Sequence, residues 1–238
     1  MLLPKAQPTK RFPQSLRFFY AGVVFAMPAF IFLSDHVIRL LKVPDIPASA
    51  YYSPYILSRE EYALLKEGDI VMRRGHGFVS AVINELFQTG YNLSHCAIIA
   101  EENGIKTVIH TVSSELSGKD GVQQEPLEQF VKESVRGTFM AVRLKKKGLD
   151  ATLPLRYIRN YLKQRVPFDD KFDLNDSTRL YCTELIYRAY LNAYGEDLFT
   201  GRFQTDHPDF LSLSVFLDTT LFQIIINHQA NVMKAPKP

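Results

Sequence analysis

Apolar residues recur along this chain with two periods, and the switches between them mark out the elements. Leu185, Ile186, Ala189, Tyr190 and Ala193 fall at helical spacing along one face, with Gly195 where a terminating glycine belongs. A helix is therefore predicted to open at about Cys182, with Asp176, Ser177 and Thr178 as capping oxygens upstream and Glu184 in its first turn. Leu155, Ile158, Tyr161 and Leu162 outline a second amphipathic helix that ends before Pro167. Residues 79–87 suit a third helix and 126–131 a short one, and Ser58 with Glu61 makes a capping box at the head of another.

Strand patterns lie between them, at 70–73, 93–100, 106–112, 138–144 and 221–226. Asn103-Gly104 joins two of these runs and predicts a two-residue hairpin turn in which Glu102 pairs with Ile105. By that register Ala97 faces His110. His95, two residues from Ala97, shares its face, so His95 and His110 become diagonal neighbours on one side while Cys96 points to the other. A three-residue loop would destroy this parity. The mixture predicts an α+β domain, an antiparallel sheet packed against helices.

Residues 18–33 are uncharged and follow a basic flank of Lys5, Lys10, Arg11 and Arg17. They read as a membrane signal-anchor, with the N-terminus cytoplasmic and the domain extracytoplasmic, on the periplasmic side. The run is short for a full span of about 20 residues and contains Pro28, so a cleavable signal peptide is the alternative. Ala48-Ser49-Ala50 has the look of a cleavage site but lies far past the apolar core. The expected organisation is a flank and anchor over 1–42, a linker over 43–57 bearing Pro44, Pro47 and Pro54, a folded domain over 58–232 and a tail over 233–238.

Composition narrows the function by exclusion. A net charge of +3 is too mild to argue for nucleic acid, and no such partner is expected. Cys96 and Cys182 are the only cysteines, too few for a disulfide framework or a zinc finger. Gly75-His76-Gly77 lacks the endings of a phosphate-binding loop. Asp169, Asp170, Asp173 and Asp176 lack the glycine and bidentate glutamate of a calcium loop. No cofactor or resident metal is expected, and His76, His207 and His228 read as structural or exposed.

What remains is thiol chemistry. A cysteine at a helix N-terminus feels unpaired N–H groups and the positive end of the dipole, which favour thiolate. A nucleophile of this kind needs a base, and the base needs a third polar group to orient it. Cys182, His95 and His110 meet these three roles if the start of the Cys182 helix packs against the histidine face. The N–H of Cys182, with a second donor, would form an oxyanion hole.

The segments 68–71, 91–99, 108–110 and 180–186, which hold Gly68-Asp69, Ser94-His95-Cys96, Ile109-His110 and Tyr181-Cys182-Thr183-Glu184, together resemble the permuted papain-like amidases of the YaeF/YiiX group. That group belongs to the NlpC superfamily, alongside lecithin retinol acyltransferase-like enzymes. The resemblance spans roughly residues 60–195 and implies a circularly permuted papain-like fold, in which the histidine strand precedes the cysteine helix. It further implies Cys182 as nucleophile, His95 as general base and then acid, and residue 110 as the orienting group. YiiX-like members often carry an acid at that third place, whereas His110 is similar to the acyltransferase-like branch, which leaves peptide, N-acyl and ester substrates in play. Tyr181 and Glu184 match the family's cysteine motif and read as packing or capping groups. The expectation is a membrane-anchored cysteine hydrolase, amidase or acyltransferase acting on cell-envelope peptides, peptidoglycan fragments or lipids. Two other readings compete: a noncatalytic lipid-binding or scaffolding module of the same fold, and a metal site using Cys182, His95 and His110.

Overall fold

The turn at Asn103-Gly104 sets the register of the sheet. Both residues hold left-handed backbone, with φ of 52° and 77°, as a two-residue hairpin requires. Glu102 accordingly pairs with Ile105 and Ile98 with Ile109, the predicted register. The computed structural model, which describes residues 55–87, 89–114, 118–145, 148–199 and 211–231, builds outward from this hairpin of β2 (His95–Glu102) and β3 (Ile105–Val112). With β1 (Ile70–Arg73), β4 (Gly121–Pro126), β5 (Met140–Leu144) and β6 (Phe222–Asn227), the strands lie in the order β4-β3-β2-β1-β5-β6. Neighbours in that order are antiparallel throughout.

Alternation along the strands splits the apolar side chains between two faces. On one, Met72, Cys96, Ile98 and Ile109 pack under Leu155 and Ile158 of α4 (Leu155–Gln164) and Leu185, Ile186, Ala189 and Tyr190 of α5 (Cys182–Tyr194). On the other, Val71, Ala97, Ile99 and Val108 are covered by Leu127, Phe130 and Val131 of the short α3 (Leu127–Lys132). The fold is thus the mixed helix and antiparallel-sheet class that the pattern predicts. Ahead of the sheet, α1 (Arg59–Leu64) starts with the expected capping box: Ser58 Oγ accepts the Glu61 N–H at 3.1 Å and the Glu61 carboxylate accepts the Ser58 N–H at 2.8 Å. Between β1 and β2 runs α2 (Phe78–Phe87).

The head of α5 departs from expectation. Its N-cap is Tyr181, with no side-chain cap, because Asp176 spends its carboxylate on the Thr178 N–H within a local turn. Glu184 stands three residues past the N-cap with its carboxylate buried, where the nearby Tyr181 N–H favours its charged form. Burial raises this carboxyl to about 7 although Arg188, one turn on, pairs with it at 2.6 Å. The residues flanking Cys182 also clasp the backbone of one residue: the Tyr181 hydroxyl accepts the Leu211 N–H at 2.8 Å, and the Thr183 hydroxyl donates to the Leu211 carbonyl at 2.7 Å.

A strand also appears where the pattern predicts none. β4 reads Gly-Val-Gln-Gln-Glu-Pro, without apolar alternation; as an edge strand it needs a buried side chain only at its start. Gly121 has φ of 80°, and a Cβ there would lie 2.3 Å from the Val166 carbonyl oxygen. That same oxygen accepts the Val122 N–H at 2.9 Å and docks the strand.

Among the described residues no helix is long and apolar enough to cross a membrane. The expected anchor over 18–33, the linker prolines, the Ala48-Ser49-Ala50 motif, His207 with its turn and the tail over 233–238 all lie outside the described residues.

Gly121→Ala is expected to destabilise the domain by about 1–3 kcal/mol through backbone strain and the clash with Val166. Urea unfolding of the purified variant measures it, and an unchanged midpoint would contradict the docking role of this turn.

Candidate active site

The two histidines and the cysteine helix lie on opposite faces of the sheet. His95 and His110 share the α3 face, where each ring stands 5.9 Å from the Phe130 ring, centroid to centroid. Helix α5 packs on the other face, so the expectation that its start meets the histidine face is corrected. Contact is made round the end of the sheet instead. His95 is the first residue of β2 and Cys182 the first of α5, and both ends fall at the same rim. There the His95 ring, the Cys96 thiol and the Cys96 backbone N–H all come close enough to the Cys182 sulfur to favour its charged form.

The rings line up behind it. His95 Nε2 lies 2.8 Å from His110 Nδ1, which leaves Nδ1 of His95 for the sulfur. His110 Nε2 lies 3.5 Å from Glu125 Oε1 on β4. The three predicted residues, Cys182, His95 and His110, are thus brought together, and an acid that sequence reasoning missed stands behind them.

The electrostatics follow the order of the groups. Hydrogen bonds from the Cys96 thiol and from His95 hold Cys182 well below the ordinary thiol range, outweighing the opposing effect of burial. Burial beside that sulfur pushes Cys96 well above it. Burial also drives His110 well below the imidazole range, with His95, Arg73 and Lys119 adding like-charge repulsion. His110 is therefore neutral at pH 7. Burial and Glu133 raise Glu125.

Arg73 was not among the expected site residues, yet it is the cross-strand partner of His95. Only 7% exposed, its guanidinium lies 4.2 Å above the Phe130 ring, donates to the Phe130 carbonyl at 2.6 Å and pairs with Glu133 at 3.4 Å. The signal for it was a charge closing an otherwise apolar strand. Glu125 gave no such signal, because β4 itself does not show in the pattern.

A cavity of about 440 Å³ opens over the sulfur. Ile83, Phe168, Phe172, Tyr181 and Leu213 supply apolar wall, and His76, Ser113, Lys119 and Gln123 supply polar wall. His228 is elsewhere, bonded to Glu61 at 2.6 Å and to the Tyr55 hydroxyl. Buried Asp169 accepts the N–H groups of Lys171 at 2.9 Å and Asp173 at 2.6 Å and so closes its own loop. Among the described residues no group of three or more His, Cys, Asp or Glu side chains is arranged to hold a metal ion.

The opposite shifts of the two thiols give a direct measurement. With Cys182 held well below and Cys96 pushed well above the ordinary thiol range, iodoacetamide near pH 6 is expected to label Cys182 at least about tenfold faster. Peptide mapping by mass spectrometry reads the ratio; equal slow rates at both would contradict the thiolate.

Over residues 64–223 the chain matches the family described as permuted papain-like amidase enzyme, YaeF/YiiX. Among solved structures it is similar to the crystal structure of metalloprotein yiiX from Escherichia coli, with a TM-score of 0.53 and 19% identity, covering 68% of this chain and 97% of that one. No curated protein matches the sequence.

Proposed function

The chain belongs to the permuted papain-like amidase family, and from that premise we propose a cysteine hydrolase in which Cys182 is the nucleophile, His95 the general base and then acid, and His110 the group that orients His95. The observation that carries this reading is the file of contacts from the Cys182 sulfur through the His95 ring to His110, with the second link at 2.8 Å.

The reaction then runs as acyl transfer through the sulfur. The thiolate attacks the substrate carbonyl carbon and forms a C–S bond, while the carbonyl oxygen becomes an oxyanion facing the Cys182 N–H, which at the first helical position has no intrahelical acceptor. As the tetrahedral intermediate collapses, His95 gives its Nδ1 proton to the departing amine or alkoxide, and the C–N or C–O bond breaks. Water, deprotonated by the now neutral His95, attacks the thioester and releases the acid and the thiolate. An amine or alcohol in place of that water would give acyl transfer by the same residues.

We assign the substrates to cell-envelope amides or esters, on peptides, peptidoglycan fragments or lipids, and the protein to the membrane through residues 18–33, with the domain extracytoplasmic. Support for an acyl-bearing substrate comes from the cavity's aromatic wall and from α2. Phe78 and Val79 of that helix are 61% and 41% exposed, while Ser80 and Ile83 of the same helix line the cavity. An apolar rim continuous with an apolar wall suits a hydrocarbon chain.

Cys182→Ala and His95→Ala are each expected to lower kcat/KM by about 10³-fold or more with the fold intact by circular dichroism. The assay is hydrolysis of a panel of peptidoglycan fragments, N-acyl amino acids and phospholipids, with Cys182→Ser as the blank. Unchanged turnover in His95→Ala would refute the assigned base, and an inert wild type with an unreactive Cys182 would favour the noncatalytic lipid-binding module. Deleting residues 1–54 is expected to move the protein from the membrane fraction to the soluble one; retention in the membrane would refute the anchor.

A further inference from the structure

Beyond the two histidines a buried carboxylate oxygen stands without a hydrogen bond. Glu125 Oε1 is screened from solvent and has no hydrogen-bond partner among the described residues, and His110 Nε2 lies 3.5 Å from it. Resting on the Cys182, His95 and His110 roles proposed above, we propose that Glu125 is a positioning residue: it accepts the Nε2–H of His110 and holds that ring in the tautomer whose Nδ1 lone pair faces His95.

The need for such a group follows from proton counting. When Cys182 is thiolate and His95 imidazolium, His95 carries a proton on each nitrogen, one toward the sulfur and one toward His110. His110 Nδ1 must then be bare, since at 2.8 Å there is room for one hydrogen between the rings. A neutral His110 therefore keeps its single proton on Nε2, the atom aimed at Glu125. The opposite tautomer sets an N–H against His95 and a lone pair against the carboxylate, so it opposes the imidazolium on one side and repels on the other.

Strand register places the acid for this work. Glu125 pairs across β3 and β4 with Val108, two residues before His110 on the same face, so Glu125 and His110 are diagonal neighbours. The charged and titratable groups around Glu125 are Glu133, Arg73, His95, His110 and Lys119. Burial and Glu133 oppose its ionised form, and the cations among these groups favour it. At 3.5 Å the contact is long for a hydrogen bond; such contacts tighten when substrate closes the site. The third-place histidine is thereby given the acid that it lacks itself, at one remove.

The test uses the full chain and a readout that needs no substrate: the pH profile of Cys182 alkylation by iodoacetamide, with ring-nitrogen NMR shifts of His110 alongside. Wild type, Glu125→Gln, Glu125→Ala, His110→Asn and the His110→Asn/Glu125→Ala double variant are compared, folding being checked by circular dichroism. Glu125→Ala is expected to slow alkylation about tenfold near neutral pH, to move the profile toward higher pH and to shift the His110 proton toward Nδ1. Glu125→Gln keeps an acceptor and should lose only about threefold, which covers the case in which the alanine variant does not fold. In the His110→Asn background, removal of Glu125 should add nothing. Wild-type profiles for both Glu125 variants, an equal loss with and without His110, or a wild-type His110 proton on Nδ1 would each overturn the inference. A wild-type Cys182 that alkylates fast and depends on His95 but not on Glu125 sinks this inference alone. A Cys182 no faster than Cys96, or indifferent to His95→Ala, sinks the catalytic reading and this one with it.

Discussion

The sulfur and its imidazole can meet only where the sheet stops. The two rings occupy the α3 face and the cysteine helix the opposite one, so a continuous sheet of six strands stands between them except at its rim. Placing His95 first in β2 and Cys182 first in α5 satisfies this constraint, and much of the local structure serves to keep both ends from fraying. Tyr181 and Thr183 grip the Leu211 backbone from either side of Cys182, and buried Glu184 in the first turn pairs with Arg188 at 2.6 Å. Across the rim, Ser94 is fixed by the Arg73 carbonyl at 2.9 Å and returns its hydroxyl to the Gly75 N–H at 3.0 Å. Helix and strand ends are ordinarily the loosest parts of an element; here both are tied by side chains.

The same geometry explains the charge arrangement. Because Cys96 points away from the histidines, its thiol reaches Cys182 on the helix side, while His95 belongs to the histidine face. Two residues adjacent in sequence thus both favour the charged form of Cys182. Cys96 is kept protonated by the burial that makes it a good donor. On the histidine side burial, with His95 and Arg73 adding like-charge repulsion, keeps the His110 ring from becoming a second positive group. In the proposed reaction this would leave the proton on His95, beside the departing amine or alkoxide of the acylation step.

Much of this was legible in the sequence because local chemistry decided it. Asn103-Gly104 admits one turn geometry, and the whole register from Glu102 to the diagonal histidines follows from it. The capping box at Ser58, strand β1, the cysteine helix and its end at Gly195 are likewise set by neighbouring residues. Tertiary contacts decided the rest. The expected cap of α5 does not form because Asp176 is already spent on its own turn, and Tyr181 takes the N-cap place. β4 forms from Gln123, Gln124 and Glu125 by pairing at an edge and by docking on Val166, neither of which leaves a periodic trace. The face on which α5 packs was the main error in the expected site, since side-chain parity says which residues share a side but not which helix covers it.

The identity of the third residue redistributes charge through the whole site. A carboxylate there would face the His95 imidazolium directly and neutralise it at the second position. His110 is neutral and buried, so it can accept one hydrogen bond but cancels no charge. If Cys182, His95 and His110 act as proposed, the thiolate is the group left to balance the His95 imidazolium, and thioester formation removes it. By then His95 would have passed its proton to the leaving group, which frees the ring to act as base toward the incoming water or acceptor. A neutral third residue therefore suits a cycle in which the base changes charge at each half-reaction.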